Sequence, residues 1–214
     1  MGPETESGVT VVVVAGGDSP TPEEIARLPA NPIVVAADAG VEHAAAAGLA
    51  VAAAVGDMDS VSPEALAAAE QSGTRIERHP ADKDQTDLEL ALELASRLAD
   101  RVIVIGAGGG RLDHLIGNLA VAASPRWFGV AVEAWLGDAR AVVVHGQRTL
   151  SVEPGSTVSL FAVGGPARVS TTGLAWALDG EILEPLTSRG VSNQATTSSP
   201  QVAVSEGVVV AIIS

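Results

Sequence analysis

Apolar and polar positions fall in alternating blocks along the first two thirds of this chain. Val9 to Val14 is a continuous β-branched run, the pattern of a strand covered on both faces. Further apolar runs over 33–36, 51–55, 101–105 and 130–136, with the more polar stretch 74–78, predict five more strands. Helical patterns lie between them. Thr21-Pro22-Glu23-Glu24 supplies a Thr cap, a proline at the first position and acids in the first turn. Helices are also predicted over 41–47 and 63–71. Leu88, Ala91, Leu92, Ala95 and Leu98 recur at helical spacing over 88–98. A last helix follows the glycine-rich stretch 106–110 and runs to about Ala123. This alternation predicts an α/β domain, a three-layer Rossmann-like arrangement with a parallel sheet, through residue 136. In such sheets the working loops lie beyond the carboxyl ends of the strands.

The texture changes after Gly137. Short strand-like runs over 139–144, 157–163, 167–170, 202–204 and 208–213 are separated by Gly, Pro, Ser and Asn. They predict an all-β sandwich. The expected division is an α/β domain over 1–138 and a β-sandwich domain over 139–214.

Composition narrows the class. The chain has 214 residues, nearly half of them apolar, which is enough for a sizeable core. The formal charge of −14 argues against nucleic acid or an anionic membrane as partner. A phosphorylated small molecule stays open if the acids act through bound cations. There is no cysteine, hence no disulfide framework and no thiolate metal site. The segment 1–10 is polar and acidic, with the loose tail expected over 1–8. It has neither the basic nor the apolar part of a signal peptide. No run reaches membrane-spanning length, so a cytoplasmic location is expected.

The candidate chemistry sits where strands end. Gly56-Asp57-Met58-Asp59-Ser60 follows one apolar run and precedes a Pro-led helix. Two carboxylates one residue apart repel each other unless water screens them or a cation lies between them. Asp38 follows another run, and Asp82, Asp84 and Asp87 follow a third. Magnesium favours such oxygen donors and leaves positions for phosphate and water. A solvated acidic turn is the alternative for Asp57 and Asp59, and helix capping the alternative for Asp84 and Asp87. Gly106 to Gly110, leading into a helix, is an anion-cradle candidate that contains Gly109 and Gly110. Arg111 beside it has a fork suited to phosphate. Asp113 is placed to hold Arg111 or cap the helix, and His114 to donate to a phosphate. Gly16 and Gly17 form a second phosphate-loop candidate. His43, His79 and His145 show no ligand spacing and read as structural or solvated.

With these residues in view, the chain resembles the thiamine pyrophosphokinase family. The resemblance rests on Ala37-Asp38-x-Gly40, Gly56-Asp57-Met58-Asp59-Ser60, Asp82-Lys83-Asp84-Gln85-Thr86-Asp87, and Gly109-Gly110-Arg111-Leu112-Asp113-His114 with Asn118 beyond. It extends into the β module through 172–178, which contains Trp176, and 190–193, which contains Ser192 and Asn193. The resemblance implies transfer of the diphosphate of ATP to the hydroxyl of thiamine, releasing AMP. It also implies a homodimer with active sites between subunits. On that view Asp57, Asp59, Asp82, Asp84 and Asp87 hold magnesium, and Lys83 and Arg111 offset charge on the transferred group. Lys83, Thr86, Arg111, Asp113, His114 and Asn118 fall in the ATP-binding segments. Asp38, Asp57, Asp59, Asp84 and Arg111 are the catalytic candidates, with Asp38 or Asp59 as acceptor of the alcohol proton. Trp176 offers a flat face to a cationic heterocycle, and Ser192 and Asn193 hydrogen bonds to its pyrimidine ring.

Two positions depart from the family pattern. Ala39 stands where the family usually has glycine, and would be strained if the position required a positive φ. Ala175 stands where a basic residue is frequent. The rival readings are a pyrophosphokinase for another hydroxymethyl heterocycle such as a pterin, a nucleotide-sugar transferase, and a non-catalytic nucleotide-binding protein.

Overall fold

A computed structural model describes residues 8–109 and 111–214. The tail expected over 1–8 lies, up to Ser7, outside the described residues. So does Gly110. The chain divides into two compact units, 1–118 and 119–214.

The first unit carries five parallel strands: β1 (Thr10–Val14), β2 (Ile33–Ala37), β3 (Val51–Gly56), β4 (Arg75–Arg78) and β5 (Arg101–Ile105), in the spatial order β5-β1-β2-β3-β4. Val11 to Val14 of β1 are fully buried, as their unbroken β-branched run requires of a central strand. Five helices accompany them: α1 (Pro22–Arg27), α2 (Gly40–Ala46), α3 (Pro63–Gln71), α4 (Asp87–Ser96) and α5 (Leu112–Ala122), the last crossing into the second unit. The starts are chemically marked. Thr21 and Glu24 form a reciprocal capping box on α1. Ser62 caps α3 ahead of Pro63, and Thr86 caps α4 through the Glu89 amide at 3.2 Å. Helices α2 and α4 pack on the sheet. Because the strands are parallel, their carboxyl ends share one edge. Asp38 N to Val55 O at 3.0 Å and His79 N to Gly56 O at 2.9 Å close the ladder there.

The second unit is antiparallel. One layer runs β12 (Asn193–Gln194), β9 (Thr157–Ala162), β14 (Val209–Ile213), β7 (Ala139–Val144), β6 (Ala131–Leu136). The other runs β11 (Glu181–Leu183), β10 (Ala167–Thr172), β13 (Gln201–Glu206), β8 (Gln147–Thr149). Val144, Val158, Val209 and Ala211 of the first layer share one core with Val169, Leu183 and Val202 of the second, which makes a sandwich.

The sixth predicted strand forms as β6 and opens a hairpin. β6 pairs antiparallel with β7 because only Gly137 and Asp138 join them. Two residues make a hairpin and cannot make a parallel crossover. Strands β8, β11 and β12 escape the periodicity argument because each has three residues or fewer. Among the described residues no helix is long and apolar enough to cross a membrane.

Candidate active site

The carboxyl edge of the parallel sheet gathers three of the predicted acids. Asp38, Asp57 and Asp59 each offer a carboxylate oxygen, all within 4.8 Å of one another. The backbone makes this possible at two strained points. Asp38 adopts φ 46° and Met58 φ 63°, both left-handed conformations uncommon for residues other than glycine. At Met58 the reversal turns the thioether down into a cluster with Ala36, Val41, Ala54 and Val61. On either side of it Asp57 is left half-buried and Asp59 exposed. Gly56 forms the floor. A Cβ there would stand 3.0 Å from Asp87 Oδ1 and 3.2 Å from Asp38 Cβ, at a φ of 150°.

Each carboxylate has its own environment. Asp38 Oδ1 is buried without a hydrogen-bond partner. Burial pushes its pKa up, Ser60 and the Ala39 amide pull against that, and Asp87 and Asp57 add to the rise. Asp57 is lowered, first by the Asp59 amide, which donates to Oδ1 at 3.1 Å, then by Lys83. Asp59 Oδ1 accepts from the Ser60 hydroxyl at 2.9 Å. Lys83 Nζ lies 3.1 Å from Asp57 Oδ2 and 3.2 Å from Asp87 Oδ1. Asp82 and Asp84 are exposed and outside the three-carboxylate group. Asp87 touches the site through Lys83 and Gly56, and Thr86 is spent on the α4 cap.

The glycine loops at the ends of β1 and β5 are packed on each other. Gly17 N donates to Gly106 O at 2.9 Å and Asp18 N to Gly108 O at 3.1 Å. The Gly17 amide is therefore engaged by the neighbouring loop. A Cβ on Gly109 would meet Asp18 Oδ1 at 2.7 Å, and one on Gly16 would meet Ala39 Cβ at 3.0 Å. Asn118 donates to Ala107 O at 3.0 Å and braces the β5 loop from α5. Arg111 is exposed and forks onto Asp113, with Nε 3.3 Å from Oδ1 and a terminal nitrogen 2.6 Å from Oδ2. That pair holds the Asp113 carboxyl at about 2. His114 is exposed in the first turn of α5.

The departure at residue 39 costs no backbone strain. Ala39 is right-handed, with φ −55°, and the positive φ belongs to Asp38. Glu42 is a positioning residue that no local pattern announces. Its Oε1 accepts from the amide and hydroxyl of Ser62 at 2.8 and 2.7 Å, pinning the far end of the 57–60 turn to α2. A cavity of about 410 Å³ between α1 and α2 is lined by Ser19, Pro20, Ile25 and His43, and none of the acids lines it.

In the second unit the two predicted segments lie side by side. Ala175 N donates to Gln194 O at 2.9 Å, and Leu174 bridges Ala195. Trp127 and Trp135 are buried, whereas Trp176 is 60% exposed. Asn193 is buried, and both ends of its amide serve backbone. Oδ1 accepts from Trp176 N at 3.1 Å and Gln194 N at 2.9 Å, and Nδ2 donates to Trp176 O at 2.7 Å. Ser192, exposed at φ 59°, is held by its amide to Ser159 Oγ at 3.0 Å.

Fold and site together define a class: an acid-lined edge on a parallel sheet, followed along the chain by a β-sandwich with an exposed tryptophan. Two family models match in the same order. Thiamin pyrophosphokinase, catalytic domain, covers residues 27–132, and Thiamin pyrophosphokinase, vitamin B1 binding domain, covers 147–209. The chain belongs to the thiamine pyrophosphokinase family. It is 32% identical over 112 residues to thiamine pyrophosphokinase of Bacillus subtilis (strain 168), a match covering 51% of this chain and 52% of that one. It is 30% identical over 140 residues to thiamine pyrophosphokinase 1 of Oryza sativa subsp. japonica, covering 58% and 51%. The matched stretches span about half the length of these relatives. The crystal structure of the Bacillus subtilis thiamine pyrophosphokinase superposes with a TM-score of 0.82 at 22% identity, over 96% of this chain and 98% of that one. That of a thiamin pyrophosphokinase family protein from Enterococcus faecalis gives 0.78 at 27%, again over 96% and 98%.

Proposed function

We propose that the protein transfers the diphosphate of ATP to the hydroxyl of thiamine, giving thiamine diphosphate and AMP. The observation that carries this reading is the convergence of Asp38, Asp57 and Asp59 within 4.8 Å, in a chain of this family. The donor set suits magnesium: all oxygens, one of them a buried Asp38 oxygen with no donor of its own. Asp38, Asp57 and Asp59 would hold the ion, with Asp87 beside them and the exposed Asp82 and Asp84 on the approach. Bound there, it would neutralise phosphate charge.

The chain's own residues do the rest. The thiamine oxygen attacks the β-phosphorus, and the bond from that phosphorus to the oxygen bridging the α-phosphate breaks. AMP leaves with the electron pair. The alcohol proton passes to a carboxylate of the acid group, Asp38 or Asp59. Lys83 and Arg111 offset charge on the transferred group, Arg111 exchanging Asp113 for phosphate oxygens. Loops 16–18 and 106–109, with His114, flank the donor. Trp176 presents its ring to the cationic heterocycle, Asn193 fixes the Trp176 backbone, and Ser192 offers its hydroxyl. The division of labour is ATP and magnesium on the α/β domain and thiamine on the sandwich domain. We also propose a homodimer with active sites between subunits. Exposed Leu112 and Ile116 on α5 suit an apolar interface, and sedimentation tests the stoichiometry.

The deciding experiment is an assay of purified protein with ATP, magnesium and thiamine. Thiamine diphosphate and AMP are the expected products, and Asp57→Asn lowers the rate at least about a hundredfold. Release of ADP, or an unaffected Asp57→Asn variant, overturns the reading. A pterin substrate in place of thiamine tests specificity.

A further inference from the structure

Lys83 is the only lysine among the twelve Lys and Arg residues of the chain. It stands between two carboxylates at the candidate site. Its side chain is 14% exposed, and its ammonium bridges Asp57 Oδ2 at 3.1 Å and Asp87 Oδ1 at 3.2 Å. The other oxygen of Asp57 accepts from the Asp59 amide at 3.1 Å, so both oxygens of Asp57 are engaged. Yet Asp57 also belongs to the group formed with Asp38 and Asp59. Ammonium and divalent ion therefore draw on one carboxylate, and two cations placed that close repel. Burial acts to lower the Lys83 pKa, but its bonds to Asp57 and Asp87 outweigh this and raise it, so the group stays charged.

The residue type suits an exchange. Lysine carries a compact charge with rotating donors on a flexible stem, whereas an arginine fork on these carboxylates would be harder to release. The flanking residues keep the stem tethered beside the site: Asp82 and Asp84 are exposed, and the Lys83 amide is fixed to Ala81 O at 3.1 Å.

We propose that Lys83 is a built-in counter-ion. It holds Asp57 and Asp87 together in the metal-free protein, yields Asp57 to a divalent cation, and passes its released charge to a phosphate of the incoming donor. This rests on the reading of Asp38, Asp57 and Asp59 as a magnesium site. Metal and nucleotide then bind with positive coupling, because the first frees the ligand of the second.

A single lysine makes the exchange directly visible. Protein labelled with ¹⁵N-lysine has one side-chain Nζ signal, and amine acetylation at Lys83 is read on one peptide by mass spectrometry. Magnesium without nucleotide should shift that signal and raise Lys83 acetylation at least about fivefold. A non-hydrolysable ATP analogue added with magnesium should restore protection. By calorimetry, Lys83→Met should bind magnesium alone roughly tenfold more tightly and the magnesium–nucleotide complex more weakly, whereas Lys83→Arg should bind magnesium alone more weakly than wild type. A signal and an acetylation rate unmoved at metal saturation overturn the proposal, as does unchanged or weaker metal binding by Lys83→Met. Where Lys83→Met does not fold, the wild-type measurements decide alone. If neither wild type nor Lys83→Met binds magnesium, the metal-site reading itself fails and takes the exchange with it. Metal binding abolished by Asp57→Asn with an unmoved Lys83 defeats the exchange only.

Discussion

A methyl group on Gly17 would stand 2.0 Å from the carbonyl oxygen of Gly108 and 2.6 Å from that of Gly106. No side chain can give way there, because both contacts are backbone. Gly17→Ala must part the β1 and β5 loops and break the bonds Gly17 N to Gly106 O and Asp18 N to Gly108 O. The expected cost is about 1–3 kcal/mol of stability, with a raised KM for ATP. Thermal unfolding and initial rates check both. An unshifted melting temperature would show that the loops separate freely.

Asp38 carries a charge whose burial opposes it. Asparagine tolerates the left-handed backbone of this position about as well as aspartate. Asp38→Asn should therefore raise the melting temperature in metal-free buffer, by about 2–4 °C if the relief is near 1 kcal/mol. The rate should fall at least about a hundredfold. A lower melting temperature without metal would contradict the assignment of strain to this carboxylate.

Asn193 spends its amide on the backbone of Trp176 and Gln194. Removing it leaves Trp176 N, Trp176 O and Gln194 N without that partner. Asn193→Ala should cost about 1–3 kcal/mol and raise the KM for thiamine more than it lowers kcat. If unfolding is unchanged while thiamine binding is lost, Asn193 touches the substrate itself.

His145 supplies a pH dependence away from the acids. Neither ring nitrogen has a hydrogen-bond partner, and the ring packs at 57° against Phe128 with centroids 5.4 Å apart. Burial lowers its pKa below the ordinary 6.5. The unfolded chain thus takes up a proton near 6.5 while the native chain resists until lower pH. Stability falls as pH drops below 6.5 and levels off below the native pKa. Melting temperatures between pH 7 and 5 should decline less in His145→Leu than in wild type. Parallel curves would exclude His145 as the source.

Much of the candidate site was legible as local chemistry. Asp57 and Asp59 stand out because a strand run stops at a glycine and an acid pair follows. Trp176 stands out because aromatics are scarce. What the pattern missed was non-local. Glu42 reads as an ordinary helix-surface acid, and only the packing of α2 beside Ser62 reveals its role. Asn193 reads as a ligand group, and only its burial shows the amide to be committed. The positive φ that would strain Ala39 belongs instead to Asp38, and Ala39 is right-handed.

Hydrophobic patterning, together with cap and turn residues, was sufficient for the parallel strands, the longer antiparallel strands and the loops that carry acid, since side-chain spacing along a strand or helix is a local property. Which acids share a volume was decided only in three dimensions. Lys83 and Asp57 stand 26 residues apart in sequence and 3.1 Å apart in space. Strand order, register and two left-handed turns set that distance, and all three depend on how the whole sheet packs.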